Sequence, residues 1–422
     1  MNDYRKMWEE LGLDLNTHDA VLETVGKMYQ ETFLSQKQRP KSMEYFDFVV
    51  KEIHGLRIKE LLDAKKEGKK IIGTFCVFVP EEIILALNSI SIGLCAGAEL
   101  GSDASEEYIP RNTCSLIKSA FEFKLLKVCP YIESTDMIVG ENTCDGKKKA
   151  YESYKNIVNN MYVMDIPQMK MKAGYQLLKS EYLRFTKALE ELTGKKLTVE
   201  NLKKSIKIVN NKREALDRLN KLRSNKNNLI SGLDSLLINQ IYFYDDPERF
   251  TKAVNELCDE IEKNKTQSLT NNKARILLSG CPMAIPNWKI PNIIETSGAI
   301  IVGEEMCTGE RGIRNLVSTN AETTDKLIDN IVDRYMKINC SVFTPNENRL
   351  EDIKEMVKKY NADGVIHYAL QFCQPYSHEA ISYRKKLEEE NIPFLNIETD
   401  YSQEDTGQIK TRIEAFIERI KD

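Results

Sequence analysis

Short apolar runs alternate with helix-forming stretches in two separate blocks of this chain, and this alternation constrains the fold more than any other feature. The first block runs from KKIIGTF through SIGLCAG and DMIVGE to YVMDIP. The second runs from KARILLSG through GAIIVGE and DGVIHYAL to IPFLNIE. Strand-then-helix alternation is typical of an open parallel sheet. We therefore predict an α/β protein with two flavodoxin- or Rossmann-like parallel-sheet domains.

Helical segments precede and separate the two blocks. Apolar residues at helical spacing predict a helical N-terminal segment over residues 1–68, and Gly68 is a suitable helix stop. A first α/β domain follows at 69–168. Residues 169–270 have long polar helical patterns without strand signals, which favours an insertion used for packing or dimerisation. The second α/β domain is predicted at 271–422.

Composition excludes several classes of partner. The 422 residues are 41% apolar and 29% charged, and 60 basic against 64 acidic residues give a net charge of −4. A mildly acidic chain does not attract nucleic acid or an anionic membrane. The N-terminal stretch lacks the apolar core of a signal peptide, and no run approaches the roughly 20 apolar residues of a membrane span. We expect a cytoplasmic protein.

Ten cysteines are unusual for a reducing compartment, where disulfides are rare. No two of them are three residues apart, which argues against zinc ribbons, thioredoxin-type redox pairs and ferredoxin-like runs. The chain has four histidines, so a histidine-rich metal site is not expected. Thiolates that converge from distant loops favour an iron–sulfur cluster or zinc.

Several cysteines directly follow strand-like runs, and the carboxyl ends of parallel strands form the binding crevice of such sheets. They are Cys76, Cys144, Cys281, Cys307 and Cys373. The segments VGENTCDGKK (139–148) and VGEEMCTGER (302–311) resemble each other, which suggests cysteine-bearing loops at equivalent sheet edges of the two halves. From this context Cys144, Cys307 and Cys373 are good ligand candidates, whereas Cys281, before a proline, inclines to a structural role.

The remaining cysteines differ in their surroundings. Cys114 lies where a loop gives way to a helix, and a helix N-terminus stabilises a thiolate. Cys258, within a helix, and Cys95, among small residues, are interpreted as packing residues. Cys129 and Cys340 are evenly balanced between packing and a ligand role.

At PRNTC, GENTCDGKKK and DGVIHYALQFCQPY the chain resembles the 2-hydroxyacyl-CoA dehydratase family, and the resemblance extends over nearly the whole chain. In that family three cysteines hold a [4Fe–4S] cluster, and the matching positions are Cys114, Cys144 and Cys373. The resemblance also implies a partner: an ATP-hydrolysing activator of the actin-like kinase class, with its own iron–sulfur cluster, which supplies low-potential electrons. GENTCDGKKK departs from P-loop spacing, so no ATPase site is expected in this chain.

Additional cysteines resemble those of the double-cubane branch of this family, whose members are homodimers. In that branch six cysteines hold two cubanes joined by a sulfide, an [8Fe–9S] cluster. The ligands that this resemblance implies are Cys76, Cys114, Cys129, Cys144, Cys307 and Cys373. Cys340 is the alternative if Cys129 is structural.

The resemblance implies an iron–sulfur reductase of small unsaturated molecules such as acetylene, hydrazine or azide. His378 and Glu379, shortly after Cys373, are candidate proton donors. Two other functions remain open. One is a 2-hydroxyacyl-CoA dehydratase subunit with one [4Fe–4S] cluster, a partner subunit of different sequence and a coenzyme A pocket. The other is a non-catalytic iron–sulfur electron carrier.

Overall fold

The structure is a computed structural model that describes residues 4–101, 103–225, 230–264 and 272–421. The strands in these residues are β1 (Lys70–Thr74), β2 (Ser89–Gly93), β3 (Met137–Glu141), β4 (Met161–Met164), β5 (Ala274–Gly280), β6 (Ala299–Glu305), β7 (Gly364–Leu370) and β8 (Phe394–Thr399).

The helices alternate with these strands and also precede and separate them. They are α1 (Arg5–Glu10), α2 (Leu15–Tyr29), α3 (Met43–Lys51), α4 (Leu56–Lys66), α5 (Glu81–Ala86), α6 (Ser115–Leu125), α7 (Pro130–Ser134), α8 (Asp145–Tyr154), α9 (Lys172–Thr193), α10 (Val199–Ser224), α11 (Gly232–Ile241), α12 (Pro247–Lys263), α13 (Lys289–Thr296), α14 (Glu310–Ile313), α15 (Thr324–Tyr335), α16 (Glu347–Tyr360), α17 (Gln374–Glu389) and α18 (Thr406–Lys421). A π-helical turn at Gln30–Leu34 extends α2, and a 3₁₀ turn spans Asp103–Glu107.

The strands form two four-stranded sheets, and every pairing in them is parallel. The first sheet has the order β2-β1-β3-β4 and the second the order β6-β5-β7-β8. The strand order is therefore the same in both sheets. The predicted fold class, with two parallel-sheet units, is confirmed.

Strands β3, β6 and β7 are buried along their entire length. Parallel strands that are covered by helices on both faces are expected to consist mostly of apolar residues, and IIVGEE and VIHYAL largely follow this pattern. The centres of the two sheets are thus enclosed.

Helix α10 belongs to the packing of both sheets. Its first part places Leu202 and Ile206 in a core with β1, β3 and α15, and its later part places Leu216 and Leu219 in a core with β5 and β6. The helices of the predicted insertion therefore bridge the sheets. The predicted boundary between residues 270 and 271 lies outside the described residues. Among the described residues, no helix has the length and apolar character needed to cross a bilayer.

Candidate metal centre

The carboxyl ends of both sheets border one internal cavity of about 150 Å³. A single buried water needs about 10–15 Å³ on the same measure, so the cavity is large enough for a polyatomic group. Eight of the ten cysteines line it: Cys76, Cys95, Cys114, Cys144, Cys281, Cys307, Cys340 and Cys373.

These eight cysteines occupy equivalent places in the two sheets. Because the sheets share one strand order, β1 corresponds to β5, β2 to β6 and β3 to β7. Three pairs of cysteines follow corresponding strands: Cys76 with Cys281, Cys95 with Cys307, and Cys144 with Cys373. A fourth pair, Cys114 with Cys340, lies between the second and third strands of each sheet. The fold itself therefore directs four thiols from each sheet to one place.

The sequence similarity around Cys144 and Cys307 does not follow this topology. Cys144 comes after the third strand of its sheet and Cys307 after the second strand of the other, so the two loops are not at equivalent positions. What the segments share is local. In each, a buried glutamate ends the strand and pairs with a base six residues later, Glu141 with Lys147 and Glu305 with Arg311.

Three of the cysteines, Cys114, Cys144 and Cys373, form the outer triad. Each is the N-cap residue of a helix, namely α6, α8 and α17. The backbone N–H of Lys147 donates to Cys144 Sγ at 3.5 Å. Helix N-termini carry partial positive charge, so all three thiols lie where a thiolate is favoured.

The inner triad consists of Cys76, Cys307 and Cys340. Cys76 follows β1, Cys307 follows β6, and Cys340 lies in the loop between α15 and α16. Arg311 Nη1 donates to Cys307 Sγ at 3.7 Å. A guanidinium thus lies beside the inner triad, much as the α8 N-terminus lies beside the outer one.

Neighbouring thiols raise one another's pKa values, both within the triads and between a triad and Cys95 or Cys281. Burial, together with the charges of Cys373 and Cys144, raises the pKa of Cys114 to about 12. Burial raises the pKa of Cys76 well above its ordinary value, and Cys307 and Cys340 raise it further. Burial likewise raises the pKa of Cys307, although Arg311 opposes the shift. Deprotonating several of these thiols together requires positive charge between them, which a metal cluster provides.

Cys95 and Cys281, interpreted above as packing residues, also line the cavity. The Cys95 thiol donates to the Phe75 carbonyl at 3.1 Å, and Cys281 Sγ accepts the Leu370 N–H at 3.4 Å. Both follow strands closely, β2 and β5 respectively, and that position was the sequence signal for their place at the cavity.

The other two cysteines lie away from the cavity lining. Cys129 caps the short helix α7, which packs against α4 and β1, and burial raises the pKa of its thiol to about 11. Cys258 is fully buried in the core beside α10. Cys340, and not Cys129, is thus at the cavity.

An open cleft of about 720 Å³ adjoins the outer triad and is lined by all three of its cysteines. His378 and Glu379, the candidate proton donors, also line this cleft. His378 is exposed, whereas Glu379 accepts hydrogen bonds from Asn346 Nδ2 at 2.7 Å and Tyr383 Oη at 3.1 Å. The outer triad is therefore the part of the cavity nearest to the cleft.

A chain of buried charges leads from the cleft to the inner triad. Glu379 pairs with Arg349, Arg349 with Glu305, and Glu305 with Arg311 beside Cys307. Burial alone would raise the pKa of Glu305, but the charges of Arg311 and Arg349 lower it to about 2. Glu305 is therefore an ionised anchor for both guanidiniums at neutral pH.

The donor set fits an iron–sulfur cluster. No histidine is among the described residues that line the cavity, and soft thiolates without imidazole suit such clusters. In the part of the chain that the structure describes, no three histidine, cysteine or acidic side chains converge closely enough to hold one ion. The eight thiols instead line the cavity from the loops of both sheets.

Comparisons with known proteins give a consistent result. The family described as "2-hydroxyglutaryl-CoA dehydratase, D-component" matches residues 76–420. A protein of Escherichia coli (strain K12) named as a dehydratase subunit, YjiM, is 36% identical over 85% of this chain and 94% of its own length. The (R)-phenyllactyl-CoA dehydratase beta subunit of Clostridium sporogenes is 28% identical over 84% of this chain and 93% of its own. A subunit of the benzoyl-CoA reductase of Thauera aromatica is 23% identical over 84% of this chain and 92% of its own.

Proposed function

The chain belongs to the family of the 2-hydroxyglutaryl-CoA dehydratase D-component, which includes subunits of dehydratases and of a reductase, and on this basis we propose a specific activity. It is an iron–sulfur reductase that holds a double-cubane [8Fe–9S] cluster and reduces small unsaturated molecules such as acetylene, hydrazine or azide. Its electrons come from a separate ATP-hydrolysing activator with its own iron–sulfur cluster, and the chain acts as a homodimer.

One observation carries this proposal: eight thiols line one cavity, and three of them also line the open cleft, so the cavity has enough cysteines for two cubanes. The outer triad, Cys114, Cys144 and Cys373, would hold one cubane, and the inner triad, Cys76, Cys307 and Cys340, would hold the other. Each cubane needs three thiolates when a shared sulfide serves both. A single [4Fe–4S] cluster on the outer triad leaves the inner triad, which lines the same cavity, without a role.

The proposal takes Cys340 as the sixth ligand. Its side chain is at the cavity, whereas Cys129 lies with α7 against α4 and β1. Cys95 and Cys281 are not among the ligands that the resemblance implies; the Cys95 thiol donates to a backbone carbonyl, and Cys281 lies beside the proposed ligand Cys373. They serve as neutral walls of the cavity.

The residues around the triads suit this chemistry. When bound, the cluster supplies low-potential electrons one at a time; acetylene, for example, takes up two electrons and two protons to become ethylene. Lys147 and Arg311 place hydrogen-bond donors and positive charge at the thiolates, which makes added electrons less costly. The cleft leads to the outer triad, where His378 would deliver protons and Glu379 would hold Arg349 and Asn346 in place.

The test is an anaerobic purification followed by iron and sulfide analysis. We expect about eight iron atoms per chain, and a spin-resonance signal after reduction with the activator, ATP and a low-potential donor. Acetylene should then be reduced to ethylene only when ATP and the activator are both present. About four iron atoms per chain, or a colourless zinc protein, would contradict the proposal.

A second candidate is supported by the names of the relatives, most of which are CoA-thioester dehydratase subunits. In that case the outer triad alone would hold a [4Fe–4S] cluster, and the 720 Å³ cleft beside it would receive the thioester. This candidate requires a second, different subunit. Dehydration of a 2-hydroxyacyl-CoA by this chain together with its activator and that subunit would establish the dehydratase function. If the iron is reduced but neither substrate class is turned over, the chain is a non-catalytic electron carrier.

A further inference from the structure

The part of the cavity wall that is formed by the bridging helices is rich in basic side chains. There its wall is formed by Lys212 and Arg213 of α10, by Arg334 and Tyr335 of α15, and by Tyr242 after α11. We call this region the cation end. The guanidinium carbon of Arg334 is 4.7 Å from the centre of the Tyr335 ring, and that of Arg213 is 5.8 Å from it. Two buried guanidiniums therefore lie close to one tyrosine ring.

The cation end has more positive than negative charge. Arg213 pairs with Glu82 at 2.7 Å, and Glu82 also accepts a hydrogen bond from Tyr335 Oη at 2.8 Å. Lys212 is neutralised by Glu81 at 2.8 Å. Arg334 donates to the backbone carbonyls of Gly312 and Asn315, and in the described residues it forms no salt bridge. Arg213, Arg334 and Glu82 together thus leave one positive charge uncompensated.

Two further observations indicate that this charge has a missing partner. Arg213 is only 2% exposed, and its Nε has no hydrogen-bond partner among the described residues. Arg334 is also 2% exposed, and burial together with the charge of Arg213 lowers its pKa. A buried cation without an anion is strongly unfavourable, so such a group is expected to be retained where an anion binds.

This region is separate from the bases that serve the thiols. Burial raises the pKa of Cys144 and of Cys307, and Lys147 and Arg311 respectively oppose that rise. The charges of Arg213 and Arg334 instead act on each other and on Glu82. The cavity thus has a thiol end and a cation end.

We propose that Arg213 and Arg334 form a binding subsite for a small monovalent anion at the cation end of the cavity. The total volume of about 150 Å³, shared with the thiol end, limits this anion to a few atoms. Guanidinium groups suit linear or planar anions with nitrogen or oxygen termini, such as azide. That the bound anion is also a substrate rests on the proposed function; the binding itself does not.

The experiment uses the anaerobically purified holoprotein, with azide as the anionic probe and acetylene as the neutral one. Arg334→Gln is the main variant, because Arg334 forms no salt bridge with any residue that the structure describes. Calorimetric titration should show azide binding weakened about 10- to 100-fold in this variant. In turnover, KM for azide should rise by a similar factor while KM for acetylene stays within about twofold. Arg334→Lys, which keeps the charge, should restore most of the azide binding.

Arg218→Gln is the matched control, since Arg218 lies on the same helix α10 but forms surface ion pairs with Asp259 and Glu262. It should bind azide as the parent protein does. Equal azide affinity in the Arg334→Gln variant and the parent overturns the subsite, even if iron content and acetylene reduction support the reductase. An iron-poor or inactive parent protein refutes the proposed function, while the calorimetric comparison still decides the subsite.

Discussion

Cys340 shows how one residue decides between two ligand sets. Its loop context in the sequence gives it no advantage over Cys129, and both are buried. The difference is where each lies: Cys340 lines the cavity with Cys76 and Cys307, whereas Cys129 lies in the core beside β1. A buried thiol can join an iron–sulfur cluster only if further ligands lie close to it, and that is a property of the fold.

The corresponding prediction compares serine variants of the two cysteines. Cys340→Ser should lose iron, falling from about eight toward about four atoms per chain if the outer cubane survives. Cys129→Ser should keep its iron and lose only stability, because a hydroxyl is buried in place of a thiol. Cys258→Ser is the matched control for a buried cysteine away from the cavity. Equal iron loss in the Cys129 and Cys340 variants would contradict this ligand assignment.

Glu305 binds the guanidinium of Arg311, which in turn donates to Cys307 of the inner triad. It is 2% exposed, and it accepts hydrogen bonds from Arg311, Arg349 and Ser279. Removing its charge would leave two buried guanidiniums short of an anion. A buried ion pair broken in this way typically costs about 3–5 kcal/mol.

We expect Glu305→Gln to lower the free energy of unfolding of the metal-free protein by that amount at pH 7, measured in urea. The pKa of Glu305 is about 2 in the folded chain against an ordinary value of 4.5, so its contribution is complete above 4.5 and is lost as pH falls toward 2. The difference between parent and variant should therefore shrink over that range. The exposed Glu355 provides the control Glu355→Gln, which should change stability by less than about 0.5 kcal/mol.

At the scale of elements, strand ends and helix starts position the thiols. Strand β5 ends at Gly280, whose φ of +127° is in a region that L side chains rarely adopt. A Cβ atom there would lie 1.9 Å from the Tyr368 carbonyl oxygen of the neighbouring strand β7. Glycine thus allows β5 to turn into the Cys281 loop without separating from β7.

Gly280→Ala should consequently displace this loop and destabilise the second sheet. A strained backbone of this kind costs about 1–3 kcal/mol before the clash is counted, so we expect a clearly lower Tm. Iron content should fall as well, because β7 leads to Cys373. The control is Gly407→Ala in α18, where a new Cβ meets no atom within 4 Å. It should be neutral or slightly stabilising.

At the scale of the whole molecule, each triad combines both sheets. Cys114 and Cys144 of the outer triad follow strands of the first sheet, and Cys373 follows a strand of the second. In the inner triad Cys76 comes from the first sheet, while Cys307 and Cys340 come from the second. Any group that binds a complete triad therefore links the two sheets, as α10 does through their cores.

Removing the metal should for this reason affect both sheets. Anaerobic treatment with an iron chelator is expected to lower Tm, because a group that binds only the folded chain stabilises it by mass action. Hydrogen exchange should become faster in the loops after β1 and β3 and also in those after β6 and β7. Faster exchange in the loops of one sheet alone would contradict a centre shared by both.

The sequence by itself determined the two parallel sheets and the carboxyl-end loops that carry cysteines. Strand-then-helix alternation and burial periodicity are local properties, and a parallel sheet brings its loop ends to one edge wherever such a pattern occurs. Only the tertiary structure decided which thiols meet. It brought Cys340 to the cavity, placed Cys95 and Cys281 there as well, and put Cys129 in a core. It also brought α10 and α15 together at the cation end. No motif indicated this, because whether a buried arginine has an acidic partner depends on distances between residues more than 100 positions apart in the sequence.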